Sequence, residues 1–323
     1  MLGETSTGSL APTSGEVIPA AVTDVGCERE INEDRYAVID SPHGKVWVVC
    51  DGMGGSMGGE LAAQLAIDAI RRSLESRDYQ SPMEAVRHAV QEANRVIVLR
   101  RQNPAFSSMG TTIVAALISG PEVVIAHAGD SRAYLVRDGL IEQLTVDHTY
   151  VQDLVERGSI TAEEALSHPQ AHVLTKCLGG DPRLSLDFSQ FWTWTADDSS
   201  APADLLVLAS DGLYSLVDQD EIARSVGSRT PQESCVELVE LAKARGGYDN
   251  ITIAILPIPG QLRDEEPPAA RSVKPTVAKK KKQKEKGPSL FSGFTWGKRL
   301  LLMGLLFCIG SIATAMILAL LMF

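Results

Sequence analysis

Short apolar runs rich in β-branched residues recur between residues 17 and 257, and they constrain the fold more than any other feature. Such runs predict strands at Lys45–Cys50, Thr111–Ile118, Glu122–Ala126, Leu205–Ala209 and Ile251–Leu256. The runs Arg132–Arg137 and Leu140–Thr145 flank Asp138-Gly139, a two-residue turn typical of an antiparallel hairpin. Hairpin-linked strands with helices inserted between them predict an α+β sandwich rather than a doubly wound parallel sheet.

Two amphipathic patterns predict helices at Glu60–Ser76 and Pro82–Arg101. The Gly-rich segment 51–59 precedes the first helix, as nucleotide-binding loops do, but it lacks the Gly-Lys-Ser/Thr ending of a P-loop. A dinucleotide fingerprint starting at Gly52 needs a glycine where Met57 stands. An aspartate at the turn would also repel a pyrophosphate unless a cation lay between them. The segment therefore favours cation binding.

Aspartates stand at the ends of the predicted strands. Asp51, Asp130 and Asp211 each follow an apolar run, and Asp249 comes just before the last one. Carboxylates at strand ends can converge at one end of a sheet, where their repulsion raises their pKa values unless cations neutralise them. Oxygen ligands of this kind suit Mg²⁺ or Mn²⁺. The alternative interpretation is that each aspartate is a turn former beside Gly, Ser or Asn.

Charge is divided unevenly along the chain. Residues 1–270 hold 20 of the 30 Lys and Arg residues and 40 of the 41 Asp and Glu residues. A domain this acidic repels nucleic-acid phosphates, so we expect no nucleic-acid partner. If the substrate is a phosphate ester, bound metal must supply the positive potential. The cysteines are scattered without a Cys-x-x-Cys pair, which indicates a reducing compartment and a role as small core residues.

The C-terminal region has a composition of its own. Leu300–Phe323 contains only apolar and small residues, and its 24 residues would span about 36 Å as a helix, enough to cross a hydrocarbon core. Lys298 and Arg299 before it predict a single-pass membrane protein whose preceding domain faces the cytoplasm. Residues 259–299, rich in Pro and Lys, predict a flexible linker, and residues 1–16 a disordered N-terminus without a signal peptide.

Six segments in order give the chain a family resemblance. They are Arg29–Arg35 (REINEDR), Val49–Gly55 (VCDGMGG), Met109–Thr112 (MGTT), Ala128–Leu135 (AGDSRAYL), Ala209–Leu213 (ASDGL) and Asp249–Thr252 (DNIT). On these motifs the chain resembles the PPM (type 2C) metal-dependent protein Ser/Thr phosphatases, particularly their bacterial branch. The resemblance implies a four-layer α/β/β/α domain over residues 17–258, with a mobile flap over residues 146–180.

The resemblance also implies a two-metal site with two Mn²⁺ or Mg²⁺ ions. Asp51 would bridge the two ions, and the Gly52 carbonyl would bind one of them. Asp211 and Asp249 would bind the other ion. Two outer ligands would hold metal-bound waters, and they are Glu33 and Asp34.

Further roles follow from the same resemblance. Asp130 would bind a third, looser ion with Asp211, although many relatives carry a carboxylate where Ser215 stands. Arg29 would grip the phosphate, since a guanidinium matches two of its oxygens; its alternative role is a surface ion pair with a neighbouring glutamate, Glu28 or Glu30. Met53 replaces a histidine that serves as general acid in eukaryotic members, which implies that a metal-bound water protonates the leaving group.

The implied activity is hydrolysis of phosphoserine and phosphothreonine in proteins by in-line attack of a metal-bridging water. The substrates would be those of a Ser/Thr kinase at the membrane. Two alternatives are an inactive phosphatase-fold regulatory module and a membrane adaptor. His168 and His172 are four residues apart, but Pro169 disfavours the continuous helix that a zinc-binding pair needs.

Overall fold

Two antiparallel sheets lie at the centre of the fold in the computed structural model, which describes residues 17–55, 58–194, 204–258 and 260–264. The strands are β1 (Ala20–Asp24), β2 (Arg35–Ser41), β3 (Gly44–Cys50), β4 (Gly52–Met53), β5 (Gly110–Thr111), β6 (Ile113–Ser119), β7 (Glu122–Ala128), β8 (Arg132–Arg137), β9 (Leu140–Gln143), β10 (Asp187–Trp194), β11 (Leu205–Ala209), β12 (Ile251–Pro257) and β13 (Gln261–Arg263). The α-helices are α1 (Gly58–Ser76), α2 (Pro82–Arg100), α3 (Tyr150–Glu156), α4 (Ala162–Leu166), α5 (Asp211–Tyr214), α6 (Gln219–Ser228) and α7 (Pro231–Ala244).

The sheets pair entirely in the antiparallel sense. One sheet has the order β1-β12-β11-β8-β9 and the other β13-β10-β7-β6-β3-β2, while β4 and β5 form a short separate pair. This arrangement confirms the predicted α+β class with antiparallel sheets.

Three apolar clusters separate four layers. Helices α1 and α2 pack on the outer face of the six-stranded sheet, with Ile70 and Ile97 among the residues they bury. The two sheets bury a second cluster between them, which includes Trp47 and Leu208. Helices α6 and α7 cover the outer face of the five-stranded sheet. The layers therefore follow the order helix, sheet, sheet, helix.

Two local predictions have different outcomes. The hairpin at Asp138-Gly139 is confirmed: both residues have positive φ, 51° and 78°, and Arg137 pairs with Leu140. The single strand over Thr111–Ile118 is wrong, because the ladder breaks at Thr112. The amide of Thr112 donates to the carbonyl of Asp51 at 2.8 Å instead of pairing within the sheet.

Some elements were not predicted from the sequence. They include the strands β1, β2, β10 and β13 and the helices α3 to α7. The predicted domain boundary at residue 258 is also too early, since β13 pairs with β10 and Leu262 is buried in the cluster between the sheets. Cys27 is exposed rather than a core residue, whereas Cys50 and Cys235 are buried as expected.

The predicted membrane segment cannot be compared with the structure. Residues 300–323, residues 265–299 of the predicted linker and residues 1–16 lie outside the described residues. Among the helices of the described part of the chain, none combines the length and apolar character needed to cross a bilayer.

Candidate metal centre

Strand direction brings the predicted aspartates to one edge of the sandwich. Strands β3 and β7 both run antiparallel to β6, so Asp51 and Asp130, which follow them, lie at the same edge. In the other sheet β11 ends where β12 begins, which places Asp211 beside Asp249. All four aspartates line one cleft with a volume of about 460 Å³. The convergence expected from their positions at strand ends is thus observed.

The backbone of Asp51 is fixed by the break between β5 and β6. Its carbonyl accepts hydrogen bonds from the Thr111 hydroxyl at 2.9 Å and the Thr112 amide at 2.8 Å. Its amide donates to the Thr112 hydroxyl at 3.0 Å, and that hydroxyl also contacts Ser131 at 2.7 Å. The Met-Gly-Thr-Thr motif therefore holds Asp51 in position through backbone contacts.

Asp34 lies behind the cleft and is fully buried. Ser210 donates to its Oδ2 at 2.7 Å, but its Oδ1 has no hydrogen-bond partner among the described residues. Burial raises the pKa of Asp34 to about 7 against the opposing hydrogen bonds from Thr252 and Ser210. A buried carboxylate with an unpaired oxygen is costly, and a nearby cation or its water would compensate it.

Two further carboxylates of the cleft, Asp51 and Asp130, also have raised pKa values. Burial, and after it repulsion from neighbouring aspartates, raises the pKa of Asp51 well above its usual range. Burial raises the pKa of Asp130 to about 7, with repulsion from Asp211 next in importance. In addition, Asp211 has a buried Oδ1 with no hydrogen-bond partner among the described residues. An oxygen-only donor set with excess negative charge and unpaired oxygens fits a hard divalent cation such as Mg²⁺ or Mn²⁺.

Gly52 and Glu33 pack closely at the wall of the cleft. A Cβ on Gly52 would lie 2.2 Å from the carbonyl oxygen of Gly59, so only glycine fits there. The carboxylate of Glu33 accepts a hydrogen bond from the amide of Gly59 at 3.1 Å, at the first turn of α1. Both predicted residues line the cleft together with Asp51.

Arg29 lies at the mouth of the cleft with half of its side chain exposed. Its Nη2 contacts Asp249 Oδ2 at 2.8 Å, rather than the neighbouring glutamates considered from the sequence. The Arg29 guanidinium is therefore held next to a predicted metal ligand and remains accessible to a phosphate.

Two residues of the site were missed in the sequence. The Asn250 side chain accepts from the Glu33 amide at 2.8 Å and donates to the carbonyls of Val25 and Ile31, which ties the Glu33 segment to the start of β12. His172 lines the cleft with its Nδ1 3.5 Å from Asp211 Oδ2, and this carboxylate raises the pKa of the imidazole. Neither contact has a local sequence signal, because the partners are far apart in the chain.

A second group of potential ligands lies away from the cleft. His127, His148 and Asp187 bring one ligand atom each within 4.8 Å of one another. However, the two imidazole rings are stacked at 4.6 Å, so their in-plane lone pairs do not converge on a shared point. Lys176 already supplies a cation, with Nζ 3.1 Å from Asp187 Oδ1. This group is a hydrogen-bonded cluster with its own positive charge.

Known proteins with the same features confirm the family. A family model described as Protein phosphatase 2C matches residues 28–243. The serine/threonine phosphatase stp of Listeria monocytogenes is 34% identical over 241 residues, which cover 72% of this chain and 93% of that protein. The serine/threonine protein phosphatase PstP of Mycobacterium tuberculosis is 35% identical over 241 residues, 73% of this chain and 44% of that protein.

A solved structure agrees with this assignment. The crystal structure of the catalytic domain of PstP in complex with two manganese ions has a TM-score of 0.62 and 33% identity, covering 74% of this chain and 96% of that one. The fold, the converging aspartates and these relatives lead to one conclusion: the chain belongs to the protein phosphatase 2C family.

Proposed function

We propose that this protein hydrolyses phosphoserine and phosphothreonine in proteins, using Mn²⁺ or Mg²⁺ held by the carboxylates of the cleft. The observation that carries the proposal is the convergence of Asp51, Asp130, Asp211 and Asp249 in one cleft, with too little positive charge around them. Divalent ions bound there would lower the pKa of a coordinated water and neutralise phosphate charge. The family membership gives the reaction class.

Each residue has a distinct role in this proposal. Asp51 would bridge two ions, as the family resemblance implies, and hydrogen bonds with Thr111 and Thr112 fix its backbone at the cleft. The Gly52 carbonyl would bind one ion, and Asp211 and Asp249 the other.

The outer ligands would act through water. Asp34 is held from behind by Ser210, and Glu33 by the Gly59 amide, so each carboxylate has a fixed orientation. Asp130 would take part in a third, weaker site with Asp211. Ser215 offers a hydroxyl where a carboxylate would strengthen that site, so we expect the third ion to bind more weakly than the first two.

Arg29 would bind the phosphate of the substrate. Its guanidinium is half exposed at the mouth of the cleft, and its contact with Asp249 leaves other N–H donors of the fork free for phosphate oxygens. Met53 also lines the cleft, but a thioether has no proton to donate. The metal ligands and Arg29 therefore bind and orient the phosphate without a side-chain acid at position 53.

The test is hydrolysis of a phosphothreonine peptide by the full-length protein, with Mn²⁺ and then with a chelator. We expect turnover only with the metal, and a loss of at least roughly 100-fold in kcat for Asp51→Asn, because a bridging carboxylate loses its charge. Asp78→Asn, at an exposed carboxylate outside the cleft, is the matched control and should keep normal turnover. Metal-independent turnover, or an active Asp51→Asn protein, would contradict the mechanism. No turnover in any condition would favour the inactive regulatory module.

We also propose that the protein is anchored to the membrane by residues 300–323, with the phosphatase domain on the cytoplasmic side. The support is the length and apolar composition of that segment and the positive charges that precede it. Phosphorylated substrates of a membrane-bound Ser/Thr kinase would then be favoured partners. A truncation before Leu300 should move the phosphatase from the membrane to the soluble fraction of a cell lysate. A truncated protein that still floats with membranes would contradict the proposal.

A further inference from the structure

A second cavity of about 450 Å³ opens beside the metal centre, and we name it the side groove. Asp130 and His172 line both the cleft and the side groove, so the two spaces adjoin each other at these residues. The Nδ1 of His172 lies 3.5 Å from Asp211 Oδ2, so the boundary that the two spaces share lies next to a predicted metal ligand.

One wall of the side groove is aliphatic. It is formed by α3 and α4, which contribute Val151, Val155, Ala165 and Leu166. Leu166 is 83% exposed and lines the side groove together with these smaller apolar side chains. This wall therefore offers apolar surface that a bound partner would cover.

Three polar residues that line the side groove, Arg132, Asp147 and Tyr214, are already paired. Arg132 makes a two-pronged ion pair with Asp147, with contacts of 2.9 and 2.7 Å, and donates to Tyr134 at 3.1 Å. The guanidinium also lies 3.7 Å above the centre of the Tyr214 ring. The hydroxyl of Tyr214 in turn donates to the carbonyl of Asp130 at 2.8 Å. Among the described residues, the one arginine that lines the side groove is therefore already paired, whereas the α3–α4 wall offers apolar contact to a ligand. Further polar residues line the groove as well, namely Thr149, Gln152, Ser215, Asp218 and Tyr248.

We propose that the side groove binds an apolar side chain of the phosphoprotein, located within about three residues of the phosphorylated residue. The proposal rests on the proposed phosphatase function, because it assumes that a phosphorylated residue occupies the cleft. Successive residues of an extended peptide advance about 3.3–3.6 Å, so a near neighbour of that residue can enter a groove that begins at the same histidine. The side groove would thus select among phosphorylated sites by a flanking apolar residue.

The test compares phosphothreonine peptides in which one leucine is moved through the three positions on either side of a Ser/Gly background. For the full-length protein with Mn²⁺, we expect leucine at one or more positions to raise kcat/KM by roughly tenfold over the all-polar peptide, the effect of partly burying one such side chain. Leu166→Ser should reduce this preference for leucine to below about threefold. Leu166→Met, which keeps an apolar side chain at that position, should retain the preference of the unaltered protein. Leu140→Ser is the matched control, because Leu140 is 75% exposed on the β8–β9 hairpin outside the side groove, and its preference should equal that of the unaltered protein.

Each outcome of this test supports or overturns the side-groove proposal. A protein that hydrolyses all the peptides equally, or a Leu166→Ser protein with an unchanged leucine preference, would overturn the side-groove proposal while leaving the phosphatase function intact. If no peptide is hydrolysed, the proposed function fails. In that case the side-groove proposal is tested by fluorescence anisotropy with labelled peptides. Tighter binding of the leucine peptide than of the all-polar peptide, with the difference lost in Leu166→Ser, would support the proposal. Equal binding of the two peptides would refute it.

Discussion

Without divalent ions, the protein should lose stability as the pH rises from 5 to 7, and Asp34→Asn should remove part of that loss. The pKa of the buried Asp34 is about 7 in the folded protein, against a usual value of 3.8. Between these values the folded state holds a proton that the unfolded state has released. The free energy of unfolding therefore falls with increasing pH in this window.

The size of the effect follows from proton linkage. One extra bound proton in the folded state changes the free energy of unfolding by about 1.4 kcal/mol per pH unit. Asp34 alone would thus account for roughly 2–3 kcal/mol between pH 5 and pH 7. Asp130, whose pKa is also about 7, adds a similar slope. His127 has a pKa lowered by burial and contributes a slope of opposite sign, so the difference between variants is more informative than the slope of one protein.

The assay is urea unfolding followed by circular dichroism at pH 5, 6 and 7, in chelator and then in saturating Mn²⁺. In chelator, Asp34→Asn should flatten the pH dependence by about 1.4 kcal/mol per unit, since the introduced amide cannot ionise while its oxygen can still accept from Ser210. The exposed Asp78→Asn should leave the slope unchanged. Saturating Mn²⁺ should stabilise the unaltered protein more at pH 7 than at pH 5. Equal slopes for Asp34→Asn and the unaltered protein in chelator would refute this reasoning.

Two further substitutions separate the site from the scaffold. Gly52→Ala should weaken Mn²⁺ binding at least roughly tenfold, as measured by isothermal titration calorimetry. The new Cβ would lie 2.2 Å from the Gly59 carbonyl oxygen and must displace the backbone of the cleft. An unchanged Mn²⁺ affinity would contradict this expectation. Arg137→Leu should lower the free energy of unfolding by about 3 kcal/mol, since it leaves the fully buried Asp204 without its cation, yet it should keep the Mn²⁺ affinity. The exposed pair of Arg95 is the control for loss of an ion pair, and Arg95→Leu should cost much less.

The sequence predicts best those features of the fold that depend on residues close together in the chain. Strand β11 matches its predicted bounds, and the aspartate that follows it lies in the cleft as expected. The same holds for the β8–β9 hairpin, because the Asp138-Gly139 turn requires positive φ values that few other pairs adopt easily. These features depend on neighbours in the chain, and such dependence can be read from a sequence.

Other elements also have local sequence patterns that indicate them. Helix α6 begins with a capping box between Asp218 and Glu221, and α7 with one between Thr230 and Glu233. Strand β10 is rich in aromatic residues, which make up four of its eight positions and favour a strand. By contrast, the bond between Ser210 and Asp34 joins residues 176 positions apart, and no local pattern indicates it. The contacts that hold the predicted metal-binding carboxylates in place could therefore be found only from the structure.

These contacts would keep the carboxylates close together whether or not cations are bound. Mutual repulsion would ordinarily be relieved by small movements of the side chains and the backbone that carry them. Here hydrogen bonds with Thr111 and Thr112 fix the Asp51 backbone. Asp34, which directly precedes β2, is buried and hydrogen-bonded to Ser210. The sandwich thus holds the negative charges at short range and bears an electrostatic cost that bound cations would remove. The same convergence of buried carboxylates that lowers the stability of the metal-free protein should therefore increase its affinity for metal, which links the pH dependence of folding to the chemistry of the site.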